Sequence, residues 1–298
     1  MTTTFFLDLQ GLVWLGGPDR LTFLDRMGTG RLRDLAPGQG RATVLTTDEG
    51  RALDLVACHA GPTGAALVCS SRAAAAKVAA QLLRYRLRDQ VTVTDATPQV
   101  LVCRLQGEGA WELGGRAFGE EPLPPLAPGD WLQRGEGAGE RWLLRHPEGA
   151  GLGGLDLVLP REAAPALAEA LLAAGAVAGD PATYDQARVA ALLPMDGAEI
   201  DGRSNPLELG LTALVDFDKG CYIGQEVIAR QHHYERLRQR LRQVRLTEAL
   251  PAGSPWPPGA AGGRQRPGRL TTVVPDPAGA GWLGLALENL PTGEVPEA

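Results

Sequence analysis

Short β-type runs cut by glycine and proline, with few stretches long enough for a helix, restrict the fold of this chain more than any other feature. The 298 residues include 39 Gly and 23 Pro, which break the apolar runs at close intervals. Residues 5–15 read as a strand or strand pair broken at Gly11. Residues 43–46, 53–58, 65–70, 91–94, 100–105, 142–145 and 155–159 read as further strands. Residues 72–88 predict the clearest helix, capped by Ser70 or Ser71 and filled with Ala. Its apolar face is Val78, Leu82, Leu83 and Leu87. Shorter helices are expected through Arg26 with Asp19 as N-cap, at 165–174 with Leu167 and Leu171 on one face, and at 183–193, stopped by Pro194. The Gly/Pro-rich stretches 107–130 and 250–268 read as long loops, and 270–274 and 282–287 as strands. Strands and helices mixed this irregularly predict an α+β fold rather than a doubly wound sheet.

The length is a prior for two or three domains. A formal net charge of -6 argues against a surface that is a nucleic-acid binder throughout. No apolar run reaches the roughly 18 residues of a membrane span, and the first residues show no secretory pattern, so a cytoplasmic protein is expected. The cysteines are Cys58, Cys69, Cys103 and Cys221, with no C-x-x-C pair, so no self-contained metal site is assigned. Cys58, Cys69 and Cys103 sit in apolar runs and read as buried small hydrophobes.

Cys221 has a different neighbourhood, Lys219-Gly220-Cys221-Tyr222-Ile223-Gly224-Gln225-Glu226. Two glycines flank the thiol and permit close backbone approach. A helix is expected from Glu226 to Glu235, which would put Cys221 near a helix N-terminus and two residues from Lys219. Both features favour thiolate over thiol. The competing reading is a turn that contains a buried cysteine.

This run, followed by Ala229-Arg230, resembles the signature of the YgfZ family, folate-binding proteins related to the T-protein (aminomethyltransferase) of the glycine cleavage system. The resemblance extends to Asn205-Pro206-Leu207-Glu208, to His232-His233, to Arg238-Gln239-Arg240-Leu241 and to the stretch from Arg188 to Pro194. It runs more loosely through Phe23 to Met27 and Thr47 to Asp54. It implies a T-protein-like folate-binding fold with a ferredoxin-like middle region and a small C-terminal β-barrel. The implied boundaries are 1–237 for the folate-binding region (subdomains 1–105 and 106–237) and 238–298 for the barrel.

The resemblance implies an accessory factor for assembly or repair of iron–sulfur proteins, with those that modify tRNA as candidate clients. Tetrahydrofolate would lie in a central cleft, and a transient iron–sulfur cluster would be shared through Cys221 with an assembly protein or client enzyme. Cys221, Lys219 and Asp54 are the candidate reactive groups, and Arg188, Glu208, Tyr222, Gln225, Glu226 and Arg230 the candidate folate contacts. The alternative is a tetrahydrofolate-dependent aminomethyltransferase or related one-carbon enzyme using Asp54. Three departures favour the YgfZ branch. T-proteins usually carry Glu where this chain has Ala190, lack a Cys at the position of Cys221, and tend to carry paired Asp where Asp54 is followed by Leu55.

His59 and His146 are isolated and read as surface or satisfied core residues, and His232-His233 match no standard zinc spacing. Arg230, Arg236, Arg238, Arg240, Arg242 and Arg245 form a local basic stretch, read either as a solvated face or as a seat for a folate glutamate tail or tRNA. Aromatic residues near it are too few to support sequence-specific RNA reading.

Overall fold

The computed structural model describes residues 2–135, 140–149, 152–234, 237–257 and 267–290. In chain order the first elements are β1 (Thr4–Leu7), β2 (Leu12–Gly16), α1 (Arg20–Met27), β3 (Gly40–Thr46), β4 (Ala52–Ala60), β5 (Gly64–Cys69), α2 (Ala74–Tyr85), β6 (Thr92–Asp95) and β7 (Val100–Gln106). Then come α3 (Ala110–Phe118), β8 (Trp131–Arg134), β9 (Arg141–Arg145), β10 (Leu155–Pro160), α4 (Ala164–Ala173), β11 (Val177–Ala178), α5 (Pro181–Ala190) and α6 (Gln225–His233). The chain closes with β12 (Gln239–Leu246), β13 (Pro255–Trp256), β14 (Gly268–Pro275) and β15 (Trp282–Asn289). The expected break at Gly11 is real, and it sends β1 and β2 into different sheets.

The first sheet runs β3-β4-β5-β2-β6 and the second β11-β1-β7-β10-β9-β8. Alternation along β2 shows how they pack. Val13 and Leu15 join Phe23 and Leu24 of α1 and Val78 and Leu82 of α2 in one core. Leu12 turns the other way, into a core shared with Val102, Leu144 and Val158 of the second sheet. Trp14 stacks on Trp142 across that interface at 5.2 Å between centroids. α3 and α4 cover the far face of the second sheet, where Phe118, Leu167 and Leu171 pack with Leu143 and Leu157. The third sheet, β12-β15-β14-β13, is antiparallel, with a register shift at Leu270/Thr272. Its Leu241, Leu283 and Leu285 pack on Val44, Leu55 and Val189, which ties it to the first sheet and α5.

Several expectations are corrected. The stretch 107–130 is not one long loop, because it holds α3. Gly114 and Gly115 hide that helix in the sequence, each costing about 1 kcal/mol relative to Ala. Packing requires them: a Cβ at 114 would lie 2.7 Å from Leu155 Cδ2, and one at 115 would lie 2.7 Å from Glu120 O. Leu83 and Leu87 are 45% and 86% exposed, since α2 ends at Tyr85 and its buried face is Ala75, Val78, Ala79 and Leu82. Asp19 does not cap α1 with its side chain; its carboxylate accepts from Gln90 N at 2.8 Å. α5 starts at Pro181 because Asp180 accepts from Thr183 N, and it ends before Leu192, whose φ is 54°. Among the described residues no helix is long and apolar enough to cross a membrane.

Candidate functional site

The segment 216–226 is pinned at its start by a buried ammonium. Lys219 Nζ donates to Asp25 O at 2.5 Å, Gly28 O at 2.9 Å and Gly30 O at 2.6 Å, using all three of its protons. Asp25 Oδ1 lies 3.4 Å away. Burial pulls the ammonium below its ordinary range, and Asp25 opposes that. Burial also works against the Asp25 carboxylate, but the Leu32 N–H and the Lys219 charge hold it below its ordinary value. Sequence reading paired Lys219 with Cys221. Three carbonyls of the α1 exit take the ammonium instead, and residue spacing gave no sign of Asp25 or of those carbonyls.

Cys221 is the exposed cysteine, while Cys58, Cys69 and Cys103 are buried. Burial pushes the Cys58 thiol up to about 12 and raises Cys69 and Cys103 strongly as well. The expected helix follows as α6, with Gly224 as its N-cap, and Glu235 lies outside the described residues. Gly224 has φ 76°, and a Cβ there would meet Thr47 O at 2.4 Å and Gly50 Cα at 2.6 Å, so glycine is required. Thr46 Oγ1 donates to Ile223 O and Ile223 N to Arg26 O. The thiol therefore stands on a segment clamped to α1 and to the β3–β4 turn.

The other motif residues have distinct places. Tyr222 is buried with Leu207, Val215 and Ile228, its ring 5.4 Å from Lys219 Nζ and its hydroxyl without a hydrogen-bond partner among the described residues. Burial raises that hydroxyl to about 12. Gln225 Oε1 accepts from Tyr222 N at 3.4 Å. Glu226 and Arg230 pair with each other at 2.5 Å on the exposed face of α6. In the basic stretch, Arg242 and Arg245 also pair with acids, Glu288 and Asp276. Arg240 has an interaction of its own, and Arg236 lies outside the described residues.

Arg188, Glu208 and Asp54 do not converge on Cys221. Arg188 donates to Glu199 Oε2 at 2.7 Å, Asp185 Oδ1 at 2.5 Å and Thr272 Oγ1 at 2.9 Å. Glu208 is buried, accepts from Asn205 N at 3.0 Å, and is raised by burial. Burial pushes the Asp54 carboxyl up to about 7, against bonds from Ser70 Oγ at 2.5 Å and Ser70 N at 3.1 Å. Ser70 Oγ in turn accepts from Asp196 N at 2.9 Å, and Asp196 pairs with Lys77. The sequence signalled Ser70 only as a possible helix cap.

Where the first two sheets meet α5, Ser70, Arg104, Tyr184, Arg188 and Met195 enclose a cavity of about 10 Å³. Its lining is mixed, with Leu55, Val68, Leu193 and Pro194 beside the polar groups, and Gln10, outside that lining, has a buried amide with no hydrogen-bond partner among the described residues. These polar groups are already taken up by protein partners: Arg104 by Asp156 and Tyr184, Arg188 by Glu199, and Ser70 by Asp54 and Asp196. By donor set and by volume the cavity does not fit a pterin ring. A larger cleft of about 660 Å³ lies between Arg31, Arg41, Glu148 and Asp216 and includes none of the expected folate contacts. Among the described residues no group of three or more His, Cys, Asp or Glu is placed to hold a metal.

This architecture is that of aminomethyltransferase T: the structure of that protein from Bartonella henselae superposes with a TM-score of 0.83 at 20% identity, covering 97% of this chain and 78% of that one. The GCVT N-terminal domain matches residues 8–219, and the chain belongs to the GCVT family. The mitochondrial iron-sulfur cluster assembly factor IBA57 of Homo sapiens is 31% identical over 300 residues, covering 95% of this chain and 76% of that protein. The putative chloroplastic transferase At1g60990 of Arabidopsis thaliana is 27% identical over 284 residues. That match takes in 92% of this chain, which spans 62% of the plant protein's length.

Proposed function

We propose that this protein is a folate-binding accessory factor for assembly or repair of iron–sulfur proteins, of the YgfZ branch of the family. The observation that carries the reading is Cys221: one exposed thiol, displayed on a segment clamped by Lys219, Thr46 and Gly224, while the other three cysteines are buried. The similarity to IBA57 supports the same reading. One thiolate cannot complete an iron–sulfur site, so the cluster is cargo whose remaining ligands come from an assembly protein or a client enzyme. Four free thiols fit a reducing compartment, and we place the protein in the cytoplasm.

Folate binding enters this reading through the family match, not through the small cavity, whose volume of about 10 Å³ does not take a pterin. No carboxylate stands at position 190, where Ala190 is exposed. The test is complementation. In a strain lacking the gene, the wild-type chain restores iron–sulfur enzyme activity and Cys221→Ala does not. Full restoration by Cys221→Ala would sink the proposal.

A second reading, aminomethyl transfer, is favoured by one observation: the Asp54 carboxyl, raised to about 7, can hold or release a proton at neutral pH. Turnover with tetrahydrofolate and an aminomethyl-lipoyl carrier decides it, and background-level activity removes it.

A further inference from the structure

The end of α2 turns two leucines to solvent. Leu83 is 45% and Leu87 86% exposed. The helix stops at Tyr85 and Arg86 follows in extended backbone, so Leu87 is carried away from the core that takes Val78 and Leu82. A single exposed leucine is ordinary. These two stand in a run of like charge. Leu83-Arg84-Tyr85-Arg86-Leu87-Arg88-Asp89 holds three arginines against one aspartate, in a chain whose formal net charge is -6. The Asp89 carboxylate is taken by Arg26 at 2.5 Å. Arg84 stands over the Tyr85 ring at 5.5 Å, and Arg86 donates to Val91 O at 3.1 Å. Among the described residues Arg84, Arg86 and Arg88 pair with no carboxylate. The patch also adjoins the Cys221 segment. Arg26 holds Asp89 with its side chain and accepts from Ile223 N with its carbonyl, and Tyr85 and Ile223 flank the same core.

We propose that this patch is the docking surface for the protein that meets Cys221, and that the docking segment of that partner carries acidic side chains around an apolar one. The inference rests on the accessory function proposed above. A thiol that supplies one ligand of a shared cluster needs a partner held close beside it. Leu87 is the anchor, because its side chain leaves water only when something covers it. The guanidiniums of Arg84, Arg86 and Arg88 call for carboxylates, each of which takes a planar fork. They also steer an acidic segment to one place on a protein that is acidic overall. Arginine is enriched at protein interfaces for these reasons. Phosphates would answer the arginines but leave Leu83 and Leu87 in water. The net charge of -6 also repels a nucleic acid or an anionic bilayer from the rest of the surface. A protein segment with acidic and apolar side chains uses the whole patch.

The experiment has two arms, both in a strain lacking the gene. In the first, the full chain carrying Leu87→Ser and Arg88→Glu together should melt within about 2 °C of wild type, since both side chains are exposed. It should nevertheless restore iron–sulfur enzyme activity at least about fivefold less than wild type, because an anchor is lost and a charge reversed. Leu172→Ser, at a leucine 53% exposed on α4, should restore activity fully. Full restoration by the double variant overturns the docking surface and leaves the role of Cys221 standing. An equal loss in Leu172→Ser overturns it too, because the effect would not belong to this patch. If the wild type restores nothing, the accessory function falls and this inference falls with it. In the second arm, benzoylphenylalanine replaces Leu87 and the cells are irradiated. Mass spectrometry of the adduct should place the link in a protein segment with Asp or Glu beside the attached residue. An RNA or lipid adduct, a link within a neutral or basic segment, or no adduct overturns the proposal.

Discussion

Lys219 Nζ lies 2.6 Å from the carbonyl oxygen of Gly30, and that contact sets the role of the lysine. With Asp25 O and Gly28 O taking its other two protons, the ammonium is a structural tie between the Cys221 segment and the α1 exit. Lys219→Met would leave three carbonyls without their donor, at a cost of about 3 kcal/mol or more. Lys219→Arg should not rescue it, because a planar fork does not match a cage built around a compact ammonium. Urea unfolding of both variants checks this. Wild-type stability in Lys219→Met would show that the cage is incidental.

The two glycines around Cys221 should respond differently to alanine. At Gly224 the added Cβ meets backbone at 2.4 and 2.6 Å, and φ is 76°. Gly224→Ala should cost about 2 kcal/mol or more through strain and displacement of the β3–β4 turn. At Gly220 the added Cβ meets only the end of the Arg33 side chain, at 2.8 Å, and moving it loosens the Arg33 pairing with Asp25 rather than shifting backbone. Gly220→Ala should cost about 1 kcal/mol, less than Gly224→Ala. Chemical denaturation of the pair reads out the difference directly.

Local pattern carried much of the fold. The break at Gly11, Val78 and Leu82 on the buried face of α2, Leu167 and Leu171 on α4, and the Gly-flanked Cys221 all follow from neighbours in sequence, whereas Leu83 and Leu87 of the expected α2 face are exposed. What was illegible depended on distant partners. α3 was hidden because Gly114 and Gly115 are chosen by contact with Leu155 and Glu120 rather than by helix propensity. Lys219 was assigned to the thiol two residues away, whereas its partners are contributed by 25–30. The same holds for Arg188, whose apparent freedom in the sequence disappears into Glu199 and Thr272. Gln10 carried no signal, since an unpaired amide is a property of packing alone.

Two buried groups should give stability opposite pH dependences. His59 is lowered to about 4 by burial, so it is neutral when folded and accepts a proton first in the unfolded chain below about 6.5. Its contribution is present above the unfolded value and is lost as pH falls from 6.5 toward 4. Asp54, raised to about 7 by burial, holds its proton in the folded state, so its contribution is lost as pH rises from 3.8 toward 7. Between pH 4.5 and 6.5 the two slopes oppose each other. Asp54→Asn should therefore gain about 3 kcal/mol relative to wild type on going from pH 4.5 to 6.5, and His59→Phe should lose a similar amount. Urea midpoints at the two pH values measure both changes. A variant that tracks wild type at both would show that its group titrates alike in the folded and unfolded chains.

Arg188 and Glu199, buried at 1% and 0% exposure, hold α5 to β14, since Glu199 Oε1 accepts from both Thr271 and Thr272 hydroxyls at 2.7 Å. Removing one partner leaves a buried charge uncompensated, so Arg188→Met and Glu199→Gln should each lower stability by about 3–5 kcal/mol. The double variant should cost less than the sum, because the second change removes the group that the first left stranded. Limited proteolysis adds a local reading: cleavage within β12–β15 should speed up in the single variants, as that sheet rests on α5. A folate contact makes a different prediction for the same residue, namely weaker 5-formyltetrahydrofolate binding in Arg188→Met with unchanged melting and unchanged proteolysis. Wild-type stability in Arg188→Met would favour that ligand role, and a large loss of stability would make Arg188 the tie that its four partners describe.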